Sequence, residues 1–469
     1  MSVASPKSGV MRAGVVIALI VALGAIGGCG TDRHSTAIAA SARPRLAHIH
    51  PCPGQPGFTC STLRVPLDHA GQAGGTLSLA IGAATAVGAP RGVLLFLTGG
   101  PGQPGIPFLT RVSTRLRAAL AGYRLVMFDQ RGTGAGALSC PALQRAAGAS
   151  DLTVVAAAAV RACAASIGPV RRYYTTSETV ADIEAIRRAL GARRLTLDGV
   201  SYGSFVAERY ALEYPTHVAR VVLDSVVPHA GVDPLYRAAL SASDRVLRSV
   251  CAATRCGWDP AADLSAVVAR LHDGPAVLDA LVADSVASPD YPGLLADLRA
   301  ARAGRLGALD ALLDSVRRDE AVPAGYLSQG LHESTLCLEL AAPWDPAESR
   351  SQRAATLASL AASTPQAGLY PFDRSTATGN GLAHGCLDWP STQPPDVPDG
   401  APHAELPRVP ILLLSGERDL STPLAWARAE AATAPDGHLV EVPGAGHSVQ
   451  LRARDSAVRR LLVRFLGGA

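Results

Sequence analysis

Arg194-Leu195-Thr196-Leu197-Asp198-Gly199-Val200-Ser201-Tyr202-Gly203-Ser204-Phe205 is the stretch on which the reading of the whole chain turns. A short apolar run, Arg194 to Leu197, leads straight into Gly199-Val200-Ser201-Tyr202-Gly203, and Phe205 to Tyr214 then reads as a helix stopped by Pro215. A serine hydroxyl is a weak nucleophile at neutral pH, so it needs a sharp turn that exposes its oxygen and a base in contact with it. Gly-x-Ser-x-Gly between a strand and a helix supplies that turn, with glycines where a Cβ would collide with neighbouring backbone. The bare pattern occurs by chance, and a plain turn serine is its bland reading. The strand before it and the helix after it are the context that selects Ser201 as a nucleophile.

Upstream, Thr76 to Ile81 alternates weakly, Gly92 to Leu97 is a dense apolar run, and Tyr123 to Phe128 is another. The last two each lead into a glycine-containing turn, as buried strands of a parallel sheet do. Between Glu178 and Leu190 the spacing becomes helical (Val180, Ile183, Ile186, Leu190) and ends at Gly191. Val218 to Leu223 reads as the next strand. From about Pro228 to Gly400 helical periodicity takes over, for example from Leu264 to Leu281 and from Leu294 to Val316, with Pro-rich stretches between Pro365 and Pro402. Strand character resumes at Val409 to Leu414. The expected organisation is a leader at 1–29, a linker at 30–45, an α/β core from 46–228 and 403–469, and a helical lid at 229–402. Length alone suggests two compact units.

In the sheet-based hydrolases that carry this serine turn, an acid and a histidine follow in that order. The run Pro410 to Leu414 ends in Ser415-Gly416-Glu417-Arg418-Asp419, which offers Asp419 as the orienting carboxylate. Glu417 competes, but Asp419 lies further past the strand and just before Leu420-Ser421-Thr422-Pro423, a helix start. A second strand, His438 to Pro443, leads into Gly444-Ala445-Gly446-His447-Ser448, and a histidine on a glycine-rich loop there can reach over the sheet edge to Ser201. The other eleven histidines lack this setting. The tetrahedral intermediate of acyl transfer needs two backbone N–H donors. Tyr202, just after the nucleophile, and Gly100, in Thr98-Gly99-Gly100-Pro101-Gly102 after the first dense strand, are the expected pair.

The chain has 469 residues and a net charge of +4, and no arginine-rich stripe interleaved with aromatics runs along it. Nucleic acid is therefore not an expected partner. The N-terminus places Lys7 and Arg12 before an apolar run, Ala13 to Ile26, which is short for a bilayer span. The following Ile26-Gly27-Gly28-Cys29 resembles a bacterial lipobox, predicting cleavage and acylation of Cys29; cleavage near Ala40 to Ala42 or an uncleaved anchor are the alternatives. Setting Cys29 aside leaves eight cysteines: Cys52, Cys60, Cys140, Cys163, Cys251, Cys256, Cys337 and Cys386. An even number in an exported chain predicts disulfides, with connectivity left open beyond the nearest-neighbour pattern, and buried free thiols as the alternative. His48-Ile49-His50-Pro51-Cys52 has metal-ligand residue types but no second cluster of ligand spacing, so neither a metal nor another cofactor is expected.

Several blocks together resemble the proline iminopeptidase and secreted tripeptidyl aminopeptidase group of serine exopeptidases. They are Gly99-Gly100-Pro101-Gly102, Asp129-Gln130-Arg131-Gly132-Thr133-Gly134, Gly199 to Ser204, Leu223-Asp224-Ser225, Cys386-Leu387-Asp388-Trp389-Pro390, Gly416 to Asp419 and Gly446-His447. The resemblance implies an α/β-hydrolase fold, a Ser201-His447-Asp419 triad and release of short N-terminal units from peptides. The segment from about Pro410 looks like the C-terminal part of the tripeptidyl branch. Thr98 departs from the histidine that usually precedes the Gly-Gly-Pro-Gly loop in proline iminopeptidases, which argues against strict proline specificity. Such enzymes hold the substrate's ammonium group with lid carboxylates, and Glu339 and Glu333, flanking Cys337, are the candidates. A cell-envelope esterase or lipase would share the triad, and a non-catalytic scaffold on the same fold is the other class of reading. Epoxide hydrolases and dehalogenases of this fold place Asp at the turn, so Ser201 disfavours them. The expected substrate is a small peptide or ester, and the expected location is exported, lipid-anchored or secreted.

Overall fold

The computed structural model describes residues 44–86, 88–339, 342–393 and 404–468. The leader and Cys29 lie outside the described residues. The described residues belong to one compact unit.

Among the described residues nine strands form one sheet: β1 (Ala47–Pro51), β2 (Phe58–Pro66), β3 (Thr76–Ala84), β4 (Val93–Leu97), β5 (Arg124–Phe128), β6 (Leu195–Val200), β7 (Val218–Asp224), β8 (Ile411–Gly416) and β9 (Gly437–Val442). Their order is β1-β2-β3-β5-β4-β6-β7-β8-β9, antiparallel from β1 to β5 and parallel from β5 to β9. β4 is apolar and buried throughout, and β8 is buried along its whole length, because helices cover both faces of the sheet there. Leu95 and Leu97 of β4 pack to one side with Leu413 of β8, while Leu94 and Phe96 pack to the other with Leu412 and Leu414. β1 and β2 escape the sequence reading: β1 is exposed along its whole length and carries no apolar alternation.

Helix α1 (Thr176–Leu190) precedes β6 and ends at Gly191 in the left-handed region, φ 68°. Helix α2 (Tyr202–Glu213) follows Ser201 without a gap, and α3 (Leu424–Ala431) follows the acidic turn after β8. Between β7 and β8, among the described residues, lie nine α-helices from Arg237–Thr254 to Gly381–Asp388. The two stretches of helical periodicity each hold two helices. Leu264 to Leu281 is divided between Pro260–Leu271 and Gly274–Ala287, because His272 turns left-handed and Asp273 caps a new helix that opens on Gly274-Pro275. Leu294 to Val316 is divided between Leu294–Arg302 and Gly307–Asp319, because Gly304 at φ 89° terminates the first. Apolar spacing persists through both breaks, which is why periodicity alone merges them.

Four disulfides close: Cys52–Cys60, Cys140–Cys163, Cys251–Cys256 and Cys337–Cys386, the nearest-neighbour pattern. With Cys52 so engaged, the His48-His50-Cys52 cluster offers no thiolate to a metal.

Candidate active site

The parallel strands deliver their loops to one end of the sheet, the carboxyl end where α/β folds place their chemistry. At the tip of β6, Ser201 adopts φ 58° and ψ −129°, a strained backbone for a side chain with a Cβ. The strain is held from both sides: Ser201 N–H donates to the Asp224 carbonyl at 2.9 Å and Ser204 N–H to the Ser201 carbonyl at 2.8 Å. The two glycines are sterically required. A Cβ on Gly199 would lie 2.2 Å from the Gly203 carbonyl oxygen, and one on Gly203 would lie 2.3 Å from that of Leu97.

Past β8, Asp419 is fully buried, and its Oδ1 accepts the N–H groups of Ser421 and Thr422, each at 2.9 Å. Its Oδ2 accepts the Thr422 hydroxyl at 2.7 Å and faces His447 Nδ1 at 2.9 Å. Every lone pair that could turn the carboxylate elsewhere is thereby engaged. Burial opposes a charge on His447, but the facing Asp419 outweighs it, and the imidazole pKa is raised above its ordinary value. Glu417, the competing acid, points away to Ser249 Oγ and the Gly444 N–H, each at 2.9 Å.

The His447 loop is clamped to the sheet by Asp224 and Ser225, at the end of β7. Asp224 accepts the Val449 and Gln450 N–H groups at 2.9 Å each, and Ser225 Oγ accepts the Ser448 N–H at 2.7 Å. The helical segment braces the loop from outside, since His447 N–H donates to the Ser285 carbonyl at 3.0 Å. Ser201 and His447 line one cavity of about 230 Å³. Among the described residues no hydrogen bond joins them, a looseness common in sites without substrate.

Thr98, Gly99 and Gly100 line the same cavity. A Cβ on Gly99 would lie 2.9 Å from that of Ser201, so this loop approaches the nucleophile as closely as backbone can. Among the described residues, neither the Gly100 nor the Tyr202 amide donates a hydrogen bond, and Tyr202 is the first residue of its helix. The Asp-Gln-Arg-Gly block supports this loop from behind. Asp129 Oδ1 accepts the Gly105 and Ile106 N–H groups at 3.0 and 2.9 Å, while buried Arg131 grips both Asp182 oxygens at 2.8 and 2.7 Å.

Glu339 and Glu333 are not among the residues lining the cavity. The Glu339 carboxyl hydrogen-bonds the Thr176 N–H at 2.5 Å and the Thr176 hydroxyl, which meets Tyr202 Oη at 2.6 Å; burial pushes it up to about 7. Glu333 lies against the Cys337–Cys386 disulfide, 3.2 Å from Cys337 Sγ, and burial also pushes it up to about 7. The acid that does share the cavity with Ser201 is Asp151, which the sequence reading missed. It follows Gly148-Ala149-Ser150, and no motif marks it. It accepts from Tyr236 Oη at 2.6 Å and pairs with His332 Nε2 at 3.0 Å, and His332 Nδ1 sits 3.0 Å from the Pro101 carbonyl. Burial opposes its ionisation, yet His332 and Tyr236 hold its carboxyl below the usual range, so it is an anion at neutral pH.

A family profile described as alpha/beta hydrolase fold matches residues 92–246, and one described as TAP-like protein matches 370–468. The chain has the α/β-hydrolase fold, and its C-terminal segment is similar to the TAP-like family. That segment carries β8, β9 and the acid and histidine loops. This α/β-hydrolase is 32% identical over 188 residues to a tripeptidyl aminopeptidase of Streptomyces coelicolor, covering 36% of this chain and 35% of that one. It is also 32% identical over 200 residues to the serine protease Hip1 of Mycobacterium tuberculosis, covering 38% of each. The matches thus span about a third of those relatives' length. A proline iminopeptidase structure from Mycobacterium smegmatis overlays 87% of this chain at 15% identity and a TM-score of 0.40. Four disulfides fit an oxidising compartment, and no helix among the described residues is long and apolar enough to cross a membrane.

Proposed function

We propose that this α/β-hydrolase is an exported serine aminopeptidase that releases short N-terminal units from peptides. Ser201 attacks the acyl carbon, and His447 takes its proton as general base and returns it to the leaving amine. Asp419 holds the imidazole in the required tautomer and steadies its positive charge. The Gly100 and Tyr202 amides, two donors without other partners, receive the negative oxygen of the tetrahedral intermediate. Water then releases the acyl group from Ser201. The cleavable leader and acylation of Cys29 belong to the same proposal, supported by the N-terminal layout and the disulfides.

The observation that carries the peptidase reading is Asp151, an anion in the cavity of Ser201 and His447. Held by His332 and Tyr236 yet lining the cavity, this carboxylate has lone pairs left for a ligand's ammonium group, and a free peptide N-terminus brings one. Glu339 and Glu333 act at most from behind, through Thr176 and the disulfide. In a panel of free and N-acetylated aminoacyl and tripeptidyl chromogenic substrates, the free tripeptidyl compounds should turn over fastest. Asp151→Asn should raise KM for them by roughly 10- to 100-fold, the worth of one charge-assisted contact, and leave acetylated substrates unaffected. Equal turnover of free and acetylated substrates, or ester turnover indifferent to Asp151, would replace the peptidase reading with an envelope esterase.

A further inference from the structure

Seven residues beyond the nucleophile on α2, Glu208 is 1% exposed, and among the described residues neither of its carboxylate oxygens has a hydrogen-bond partner. His229, in the loop after β7, is 2% exposed and its Nε2 is likewise without a partner. Its Nδ1 lies 2.7 Å from Glu430 Oε1, on α3, and its backbone N–H donates to Glu430 Oε2 at 3.2 Å. One ligand atom from each of Glu208, His229 and Glu430 lies within 4.8 Å of the other two. None of the three is among the residues lining the Ser201 cavity. They stand 21 and 201 positions apart in sequence, so no spacing motif announces them.

Two carboxylates taken out of water beside each other need a compensating positive charge. Among the described residues no arginine forms an ion pair with Glu208 or Glu430, and one imidazole cannot balance two anions. His229 Nδ1 and Glu430 Oε1 stand 2.7 Å apart, so a cation in place of their shared proton would meet both. Glu333, Cys337 and Cys386 also converge, but those cysteines are joined as a disulfide and offer no thiolate.

We propose that Glu208, His229 and Glu430 bind one zinc-class divalent cation that ties the nucleophile's helix to the loop after β7 and to α3. An imidazole with two carboxylates suits Zn²⁺, whereas Ca²⁺ and Mg²⁺ take all-oxygen shells. With three protein ligands, a water completes the tetrahedron. Placed away from the substrate cavity, the ion is structural.

The test uses the full chain, unfolded and refolded with either a chelator or Zn²⁺, then desalted. Elemental analysis of the zinc-refolded protein should find close to one equivalent, with a melting temperature several degrees above the chelator-refolded protein; Mg²⁺ should not substitute. Glu208→Gln should hold less than a tenth of an equivalent and melt at one temperature with or without zinc. Should that variant fail to fold, refolding the wild type with Co²⁺ gives the same reading: a visible d–d absorption of a low-coordinate site is expected. Less than a tenth of an equivalent in the wild type, equal zinc in Glu208→Gln, or a colourless cobalt-refolded protein would overturn the proposal.

Discussion

The sheet and the helical insertion of this α/β-hydrolase hold their shape by different means. In the sheet, β4 to β8 carry runs of leucine and valine that need no partner more specific than the next strand and a covering helix. The insertion has no ladder. Its helices are stopped and restarted by Asp273, Pro275 and Gly304, and stapled by Cys251–Cys256 and Cys337–Cys386. The difference shows in what each region does for the site. Strand ends fix Ser201, Asp419 and His447 through backbone hydrogen bonds, whereas the insertion contributes His332 and Tyr236, which hold the Asp151 carboxylate. In the proposed function, the chemistry falls to residues at the strand ends and selection to a core carboxylate that the stapled insertion holds.

Damage on the two sides should therefore differ in kind and size. The largest loss is expected at the strand ends. Asp419→Asn removes the acceptor that orients His447 and should lower kcat by about 10⁴-fold, with the fold intact by circular dichroism. The same variant changes the pH profile in a set direction. His447 must be neutral to accept the Ser201 proton, and Asp419 raises its pKa above the ordinary value of 6.5. In the wild type, kcat/KM should thus rise with pH through a limb lying above 6.5. Removing the Asp419 charge should move that limb to lower pH; an unmoved limb would mean another group governs it.

Smaller effects belong to the insertion and should appear as stability. Breaking Cys337–Cys386, a separation of 49 residues, should cost about 4 kcal/mol by loop-closure entropy. Breaking Cys251–Cys256, a separation of 5, should cost about 2 kcal/mol. Double serine variants compared by urea unfolding check the order. Equal costs would imply that the longer bridge is strained or that the insertion unfolds separately from the sheet.

Legibility in the sequence divides along the same line. Gly199 and Gly203 are readable because one backbone geometry demands them, Asp419 because it follows a dense apolar strand, and His447 because it stands on a glycine-rich loop just past the next strand. Asp151, 50 positions before Ser201, stands among small residues in a loop, and only the fold brings it to the nucleophile. Glu339 and Glu333 looked suitable for a substrate ammonium by their place beside Cys337. Their helix turns one toward Thr176 and the other toward the disulfide, an orientation that no pattern of spacing reveals. The helix breaks at His272-Asp273 and Gly304 were obscured because apolar residues continue on both sides of each.

Active-site labelling tests the central claim most directly. A fluorophosphonate added to the wild type should form a single adduct that peptide mass spectrometry maps to Ser201, and Ser201→Ala should take up none. An adduct on another serine, or an unlabelled wild type, would contradict the account.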